Sequence, residues 1–162
     1  MHLFLVGFPR AGKTTLGKKL SKIVESPFYD IDQMMEVKEN KTIVQIYKSR
    51  GEDSFRQEEQ KHLFSLREKK EGIVATGGGI VLNKKNREYL REQGLVVYLK
   101  LPKDLLIERL CKKPLSFCTS LLKNRESLYA NVAHTILFLR QEQRDLTYLE
   151  ILWKRWKGSL KD

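Results

Sequence analysis

The feature that most constrains the fold is a glycine-rich loop close to the amino terminus. A short apolar segment, Leu3–Val6, runs directly into the sequence GFPRAGKT at Gly7–Thr14, which fits the phosphate-binding pattern GxxxxGK[ST]. Such a loop joins a β-strand to an α-helix, and its backbone N–H groups and the helix dipole bind phosphate oxygens. The sequence therefore predicts a strand, a polyphosphate-binding loop and a helix at this end of the chain.

The loop supplies the candidate nucleotide ligands. Lys13 would reach the outer phosphates of a nucleotide, and the Thr14 hydroxyl would bind Mg²⁺. Gly12 permits backbone torsions and close approaches that a Cβ would oppose. The predicted nucleotide-binding residues of this segment are Arg10, Ala11, Gly12, Lys13, Thr14 and Thr15. The alternative, an ordinary turn before a helix, does not require this combination of residues.

Short apolar segments alternate with longer amphipathic ones along the rest of the chain. The predicted strands are 3–6, 28–30, 73–76, 95–99 and 136–139, and the predicted helices are 13–24, 32–39, 52–70, 84–93, 103–110 and a final one that contains Leu149–Trp156. This alternation predicts a three-layer α/β fold, in which helices flank a central parallel sheet of about five strands. Because ligands of such sheets bind at the carboxyl ends of the strands, Asp30, Asp32 and Gly77–Gly79 should lie near the loop.

Length, charge and composition narrow the possible functions. The 162 residues suffice for one domain, and the formal net charge of +11 favours anionic ligands. Nucleic acid is not an expected partner, because the basic residues are spread over most predicted helices and no RNA-binding pattern is present. The two cysteines and three histidines lack the spacing of a zinc site or a disulfide framework. We expect a cytoplasmic protein that does not bind membranes, since no leader-like or membrane-spanning segment is present.

Five sequence clusters together resemble the shikimate kinase family of P-loop kinases. They are GFPRAGKTTLG, Asp30-x-Asp32, Gly51-Glu52-x-x-Phe55-Arg56-x-x-Glu59, Thr76-Gly77-Gly78-Gly79 and Arg125-x-x-Leu128-Tyr129. The resemblance extends from about Leu3 to Tyr129, and beyond it only the last strand and helix match. It implies ATP- and Mg²⁺-dependent phosphorylation of the 3-hydroxyl of shikimate, a step of the chorismate route to aromatic amino acids. It also favours a monomer.

On the donor side, the resemblance implies that Lys13 holds the β- and γ-phosphates and that Thr14 binds Mg²⁺. Asp30 would support the metal ion through water. Asp32 would hydrogen-bond the shikimate hydroxyls and accept a proton, so that Lys13 and Asp32 are the predicted catalytic residues. Positioning and charge neutralisation dominate phosphoryl transfer, which is consistent with these residue types.

On the acceptor side, Arg56 and Arg125 would bind the substrate carboxylate, and Gly77, Gly78 and Gly79 would let the substrate lie against bare backbone. Guanidinium groups can meet a carboxylate through two hydrogen bonds. Glu59 follows Arg56 by three residues and would orient its guanidinium if this stretch is helical. Structural explanations compete with these roles: Asp32 would also suit the N-cap of the following helix, and a glycine triplet is often a flexible turn.

The chain departs from the family pattern at several positions. Arg10 stands where the family usually has glycine. A short segment at about 111–120 replaces a longer mobile lid, and Lys113 stands in for the lid arginine as a nucleotide ligand. No clear adenine-contacting pattern follows Phe138, which leaves Arg109 as a candidate for stacking on the base.

Two other functions remain open from the sequence. One is a different small P-loop kinase, acting on gluconate or a nucleoside monophosphate. The other is a catalytically silent P-loop protein that binds a nucleotide or RNA, for which Arg10 and Lys113 are the supporting features.

Overall fold

A five-stranded, wholly parallel sheet with the order β2-β3-β1-β4-β5 forms the centre of the computed structural model. The structure describes residues 1–110 and 115–159, and it describes residues 115–122 by their backbone alone. The strands are β1 His2–Val6, β2 Phe28–Asp30, β3 Ile73–Ala75, β4 Gly94–Lys100 and β5 Thr135–Phe138. The helices are α1 Lys13–Ile23, α2 Ile31–Glu39, α3 Ile43–Ser65, α4 Lys84–Gln93, α5 Lys103–Leu110, α6 Leu115–Val132 and α7 Glu142–Gly158, with short 3₁₀ turns at Leu66–Glu68 and Ile80–Leu82.

The central strands form the core. All five residues of β1 and all three of β3 are buried, as expected for parallel strands covered on both faces. Helix α1 packs near β1–β3 and against α7, whereas α4 and α6 pack on β4 and against each other. The predicted α/β class, the parallel sheet and its five strands are confirmed.

Two helices differ from the sequence-based expectation. Helix α3 begins at Ile43, not at residue 52, and continues through a kink at Gly51, where φ is 76° and ψ is 174°. Thr42 and Gln45 form a capping box at its N-terminus. The sequence-based prediction begins the helix after Gly51 because glycine is unfavourable within a helix. Helix α6 is absent from the sequence-based expectation, which places a lid at about 111–120. The chain is helical from Leu115, while Cys111–Pro114 lie outside the described residues.

The two tryptophans of the final helix pack against the rest of the fold. Trp153 is buried, Trp156 is half-buried, and their ring centroids lie 5.6 Å apart. Within the described ranges, no helix is long and apolar enough to cross a bilayer.

Candidate active site

The predicted site residues converge on one cavity of about 1020 Å³ at the carboxyl end of the sheet. The predicted residues that line it are Arg10, Gly12, Lys13, Thr14, Thr15, Asp30, Asp32, Arg56, Gly77, Gly78, Gly79 and Arg125. Ala11 is a buried residue of the loop that is absent from this lining, and its N–H donates to the carbonyl of Phe8 at 3.2 Å. Lys113 lies outside the described residues. Distant parts of the sequence are therefore brought together as the strand order requires.

Lys13 folds back over its own loop. Its Nζ donates to the carbonyls of Gly7 at 2.8 Å and Phe8 at 2.7 Å, and the side chain is only 7% exposed. Burial lowers the pKa of this ammonium to about 8, against the opposing effect of Asp32 and Asp30. The loop thus fixes the position of the Lys13 ammonium, which forms no direct ion pair with any carboxylate among the described residues.

Thr14 and Asp30 form the oxygen-rich corner of the site. The Thr14 hydroxyl donates to Asp30 Oδ2 at 2.6 Å, and Asp30 Oδ1 accepts the N–H of Gln33 at 3.2 Å. Asp30 is therefore the N-cap of α2. The expectation that Asp32 could serve as this cap is wrong, because Asp30 is the last residue before the helix and has the extended backbone that a cap needs.

The same corner fits a hard cation. A hydroxyl and a buried carboxylate are oxygen donors of the kind that Mg²⁺ prefers. The described residues contain no cluster of three or more His, Cys, Asp or Glu side chains suited to a metal. An Mg²⁺ ion at Thr14 and Asp30 would accordingly take most of its ligands from water and phosphate, as this ion commonly does.

Asp32 lies in the first turn of α2 and lines the cavity together with Lys13 and Arg56. Burial raises the pKa of this carboxyl to about 6, with further increases from Glu59 and Asp30 and a decrease from Lys13. A Cβ on Gly77 would come within 2.9 Å of Asp32 Oδ1, so the carboxylate lies directly against the glycine backbone. A carboxylate with this pKa is ionised at neutral pH and is a stronger base than an exposed aspartate.

Arg56 and Glu59 form an ion pair on α3. Arg56 Nη1 lies 2.9 Å from Glu59 Oε2, which confirms the contact expected from their spacing. Glu59 is 1% exposed, and burial raises its pKa in spite of the attraction to Arg56. Its Oε1 has no hydrogen-bond partner among the described residues and points towards Gly77. Glu59 therefore sets the position of the Arg56 guanidinium from a buried location.

Arg125 and Tyr129, both on α6, donate to the same backbone oxygen. Arg125 Nη1 lies 3.3 Å from the carbonyl oxygen of Gly78, and the Tyr129 hydroxyl donates to that oxygen as well. The Tyr129 ring is buried, meets Phe8 of the loop edge-on at 4.8 Å and stacks on Tyr98 at 5.2 Å. Tyr129 was not among the predicted site residues, although it ends the Arg125-x-x-Leu128-Tyr129 cluster.

The three glycines make room for the site itself. A Cβ on Gly77 would meet Glu59 and Asp32, one on Gly78 would lie 2.7 Å from the Pro9 ring, and one on Gly79 would overlap the Arg56 guanidinium. The missing Cβ atoms of Gly77 and Gly79 thus allow charged side chains of the cavity to approach the backbone, and that of Gly78 allows the loop to do so. The sequence indicated a close approach at this segment but not that the site's own side chains make it.

Comparisons with known proteins agree with this geometry. The family model described as shikimate kinase matches residues 9–153. A shikimate kinase of Clostridium botulinum is 37% identical, over 97% of this chain and 98% of the relative. The chain belongs to the shikimate kinase family. It is thus a member of a family of ATP-dependent phosphotransferases.

Solved structures of shikimate kinases share the whole architecture. The shikimate kinase from Acinetobacter baumannii in complex with shikimate has a TM-score of 0.85 and 34% identity, with 95% of this chain and 93% of that chain covered. A sugar kinase from Janibacter sp. HTCC2649 has a TM-score of 0.65 and 20% identity over 96% of this chain and 94% of its own. The likeness to the latter shows a shared fold and nothing more.

Among the family departures noted from the sequence, Arg10 and Arg109 can be located. Both are exposed and line the cavity beside Lys13 and Thr14. A second cavity, of about 780 Å³, lies beside α5 and α6 and contains none of the predicted site residues. The cavity wall beside the loop therefore contains two arginines in addition to the loop lysine.

Proposed function

We propose that this protein transfers the γ-phosphoryl group of ATP to the 3-hydroxyl of shikimate and produces shikimate 3-phosphate. The observation that carries the proposal is a single cavity in which the loop residues Lys13 and Thr14 face Asp32, Arg56 and Arg125. Membership of the shikimate kinase family supports this acceptor, as does the Acinetobacter relative that was solved with shikimate.

The donor half would bind ATP through the loop backbone and Lys13. Lys13 would exchange its two carbonyl partners for phosphate oxygens, which are stronger acceptors for an ammonium group. Thr14 and Asp30 would hold Mg²⁺, and this ion would supply charge neutralisation between phosphates. Gly12 and Thr15 line the same wall and would offer backbone and hydroxyl hydrogen bonds to the nucleotide.

The acceptor half would recognise an anionic, hydroxylated ring. Arg56 and Arg125 would bind the carboxylate from two different helices, which fixes the orientation of the ring as well as its charge. Asp32 would accept hydrogen bonds from the ring hydroxyls and take the proton of the attacking one. Gly77–Gly79 would form the wall beside the substrate. Because shikimate has both a carboxylate and adjacent hydroxyls, it matches this set of groups.

A coupled assay of ADP release tests the proposal, with ATP and Mg²⁺ and with shikimate, gluconate or AMP as the acceptor. We expect shikimate to be used with a kcat/KM at least about 10²-fold above the other two, since buried polar groups discriminate strongly against unmatched acceptors. Comparable use of gluconate or AMP would identify a different small kinase. ATP binding without turnover of any acceptor would identify a binding protein.

The same preparation addresses the expected partners. We propose a monomer, as the family resemblance implies. We also propose that it acts in the cytoplasm and has no nucleic-acid ligand, since its basic residues are spread over most helices and no RNA-binding pattern is present. Size-exclusion chromatography with light scattering would show a mass near 19.0 kDa for the monomer. Titration of labelled RNA at physiological salt would show no saturable binding, whereas saturable binding would favour the nucleotide- or RNA-binding alternative.

A further inference from the structure

The nucleotide loop contains a residue whose backbone conformation suits glycine. Arg10 has a φ of 63°, in the left-handed region that residues with a Cβ seldom occupy. Strained residues of this kind persist where neighbouring interactions hold them, and they occur preferentially at functional sites. Arg10 therefore requires an interaction of its side chain or backbone that offsets the strain.

The structure shows that interaction on helix α5. Arg10 Nη1 donates to the backbone carbonyl of Arg109 at 2.7 Å, and Arg109 Nη1 donates to the backbone carbonyl of Arg10 at 3.2 Å. The two residues are 99 positions apart in sequence. The Arg109 carbonyl belongs to the last turn of α5, where backbone oxygens lack partners within the helix and a cation is favourable.

We propose that Arg10 is a positioning residue that latches the nucleotide loop to the last turn of α5 and holds Arg109 at the mouth of the nucleotide cavity. The reciprocal hydrogen bonds bring two guanidinium groups of like charge to the same place. No Asp or Glu in the described part of the chain forms an ion pair with either of them. The pair thus remains available to an anionic ligand that carries its own negative charge.

The consequence for function is preorganisation of the donor side. Arg109 has a long and exposed side chain, which would otherwise lose rotamer freedom when a nucleotide binds. The latch restricts both its backbone and its guanidinium before the ligand arrives, so that less ordering remains to be done on binding. A guanidinium held in this way can contact phosphate oxygens or the face of a purine. The latch therefore acts on nucleoside di- and triphosphates and not on the acceptor.

Arg10→Gly removes the hydrogen bond from the Arg10 guanidinium to the Arg109 carbonyl and keeps the backbone carbonyl that accepts from Arg109 Nη1. It does not strain the loop, because glycine adopts a φ of 63° readily. We expect the Kd for ADP with Mg²⁺, measured by calorimetry without acceptor, to rise about five- to tenfold, in line with the loss of a charge-assisted hydrogen bond. In turnover, KM for ATP should rise by a similar factor, while KM for the acceptor and kcat at saturating ATP change less than about twofold. Arg10→Lys keeps a donor that can reach the Arg109 carbonyl and should restore most of the affinity.

A double-mutant cycle separates a latch from a direct contact. Arg109→Ala alone should weaken ADP binding about tenfold, and adding Arg10→Gly should weaken it by less than a further twofold, because the latch acts through Arg109. The matched control is Arg155→Ala, which removes an exposed arginine from the last turn of α7 and should leave the Kd unchanged.

Two results would overturn the latch. Independent, multiplicative losses in the double variant would show that Arg10 binds the nucleotide directly, and an unchanged Kd in Arg10→Gly would show that it has no role. The inference rests on the proposed function only in taking a nucleotide as the ligand. ADP binding needs no shikimate. The Kd for ADP therefore tests the role of Arg10 even if the protein fails to phosphorylate shikimate.

Discussion

The donor and acceptor halves of the cavity are built in different ways. In the donor half, Lys13 bonds to two carbonyls of its own loop, and its placement follows from a few consecutive residues. In the acceptor half, Asp32, Arg56 and Arg125 come from three helices, and a buried carboxylate at Glu59 holds the Arg56 guanidinium. In the proposed function, local backbone geometry would thus create the phosphate site, whereas acceptor recognition would depend on tertiary packing among charges.

This contrast has an energetic consequence. A lysine that bonds only to backbone carbonyls can exchange them for phosphate without leaving a buried charge unpaired. The acceptor half contains two partly desolvated carboxylates, Asp32 and Glu59, whose pKa values are raised by burial. Their ionised forms are costly in the folded protein. Substitutions in the acceptor half should therefore change both stability and activity, and their effects on the two need not have the same sign.

The largest expected effect comes from Asp32→Asn. If Asp32 positions the acceptor and takes its proton, kcat/KM for shikimate should fall by about 10²–10³-fold at pH 7.5. The same change should raise the free energy of unfolding by about 1–2 kcal/mol at that pH, because it removes a carboxylate that is costly to ionise when buried. Steady-state kinetics and urea unfolding of the two proteins measure both quantities.

The pH dependence checks the assignment of Asp32. Burial raises the pKa of Asp32 from its ordinary value of 3.8 to about 6 in the folded protein. The free energy of unfolding should therefore decrease as the pH rises from about 4 to about 6, because the unfolded protein loses this proton first. The stabilisation by Asn should consequently vanish below pH 4. In the wild type, kcat/KM should fall below about pH 6 as Asp32 protonates and above about pH 8 as Lys13 loses its proton. Asp32→Asn should lose the acid limb and keep the basic one, and an unchanged acid limb would contradict the assignment.

An intermediate effect is expected from alanine substitutions at Arg56 and Arg125. The two variants should lose similar affinity for shikimate but differ in the free energy of unfolding. Alanine at Arg56 or at Arg125 should raise KM for shikimate by about 10–100-fold, since each would lose a charge-assisted contact to the carboxylate. Arg56→Ala should also lower the free energy of unfolding by about 2–3 kcal/mol, because Glu59 is left buried without its cation. Arg125→Ala should cost less than about 1 kcal/mol, because Tyr129 still donates to the Gly78 carbonyl.

Two controls sharpen the comparison of the arginines. Arg56→Lys keeps the positive charge beside Glu59 and should recover most of the stability, but it cannot form the two-pronged contact and should keep a raised KM. The destabilisation in Arg56→Ala should be larger at pH 8 than at pH 5, since removal of the cation raises the Glu59 pKa further and protonation relieves the cost. Equal losses of stability in the two alanine variants would refute the buried-pair explanation.

The residues themselves predicted the loop and its place at the end of a strand, whereas the proposed acceptor residues were found only through a resemblance. The loop and the strands are encoded by consecutive residues, so periodicity and one motif located them. The sequence suggested Asp32 as the helix cap because the end of β2 could not be located to the residue; the helix begins at Ile31, so that Asp30 is the cap and also accepts from Thr14. Helix α6 was missed because it falls where a lid was expected, and the contact of Arg10 with Arg109 joins residues with no sequence signal between them.

The smallest changes in KM are expected from alanine substitutions at Gly79 and Gly12. The two positions require glycine for different reasons. Gly79 has an ordinary φ of −99°, but a Cβ there would overlap the Arg56 guanidinium. Gly12 has nothing within 4 Å of an added Cβ, but its φ of 92° disfavours any side chain. Gly79→Ala should therefore raise KM for shikimate by about 3–10-fold, by displacing a flexible guanidinium, and leave KM for ATP unchanged.

Gly12→Ala is the matched change in the donor half. It should raise KM for ATP and leave KM for shikimate within about twofold, because the strain of about 1 kcal/mol falls on the loop that binds phosphate. Steady-state kinetics with each substrate varied in turn give the four constants. If Gly79→Ala raised KM for ATP more than KM for shikimate, the glycine segment would belong functionally to the loop, which it touches through Pro9, and the division into two halves would be wrong.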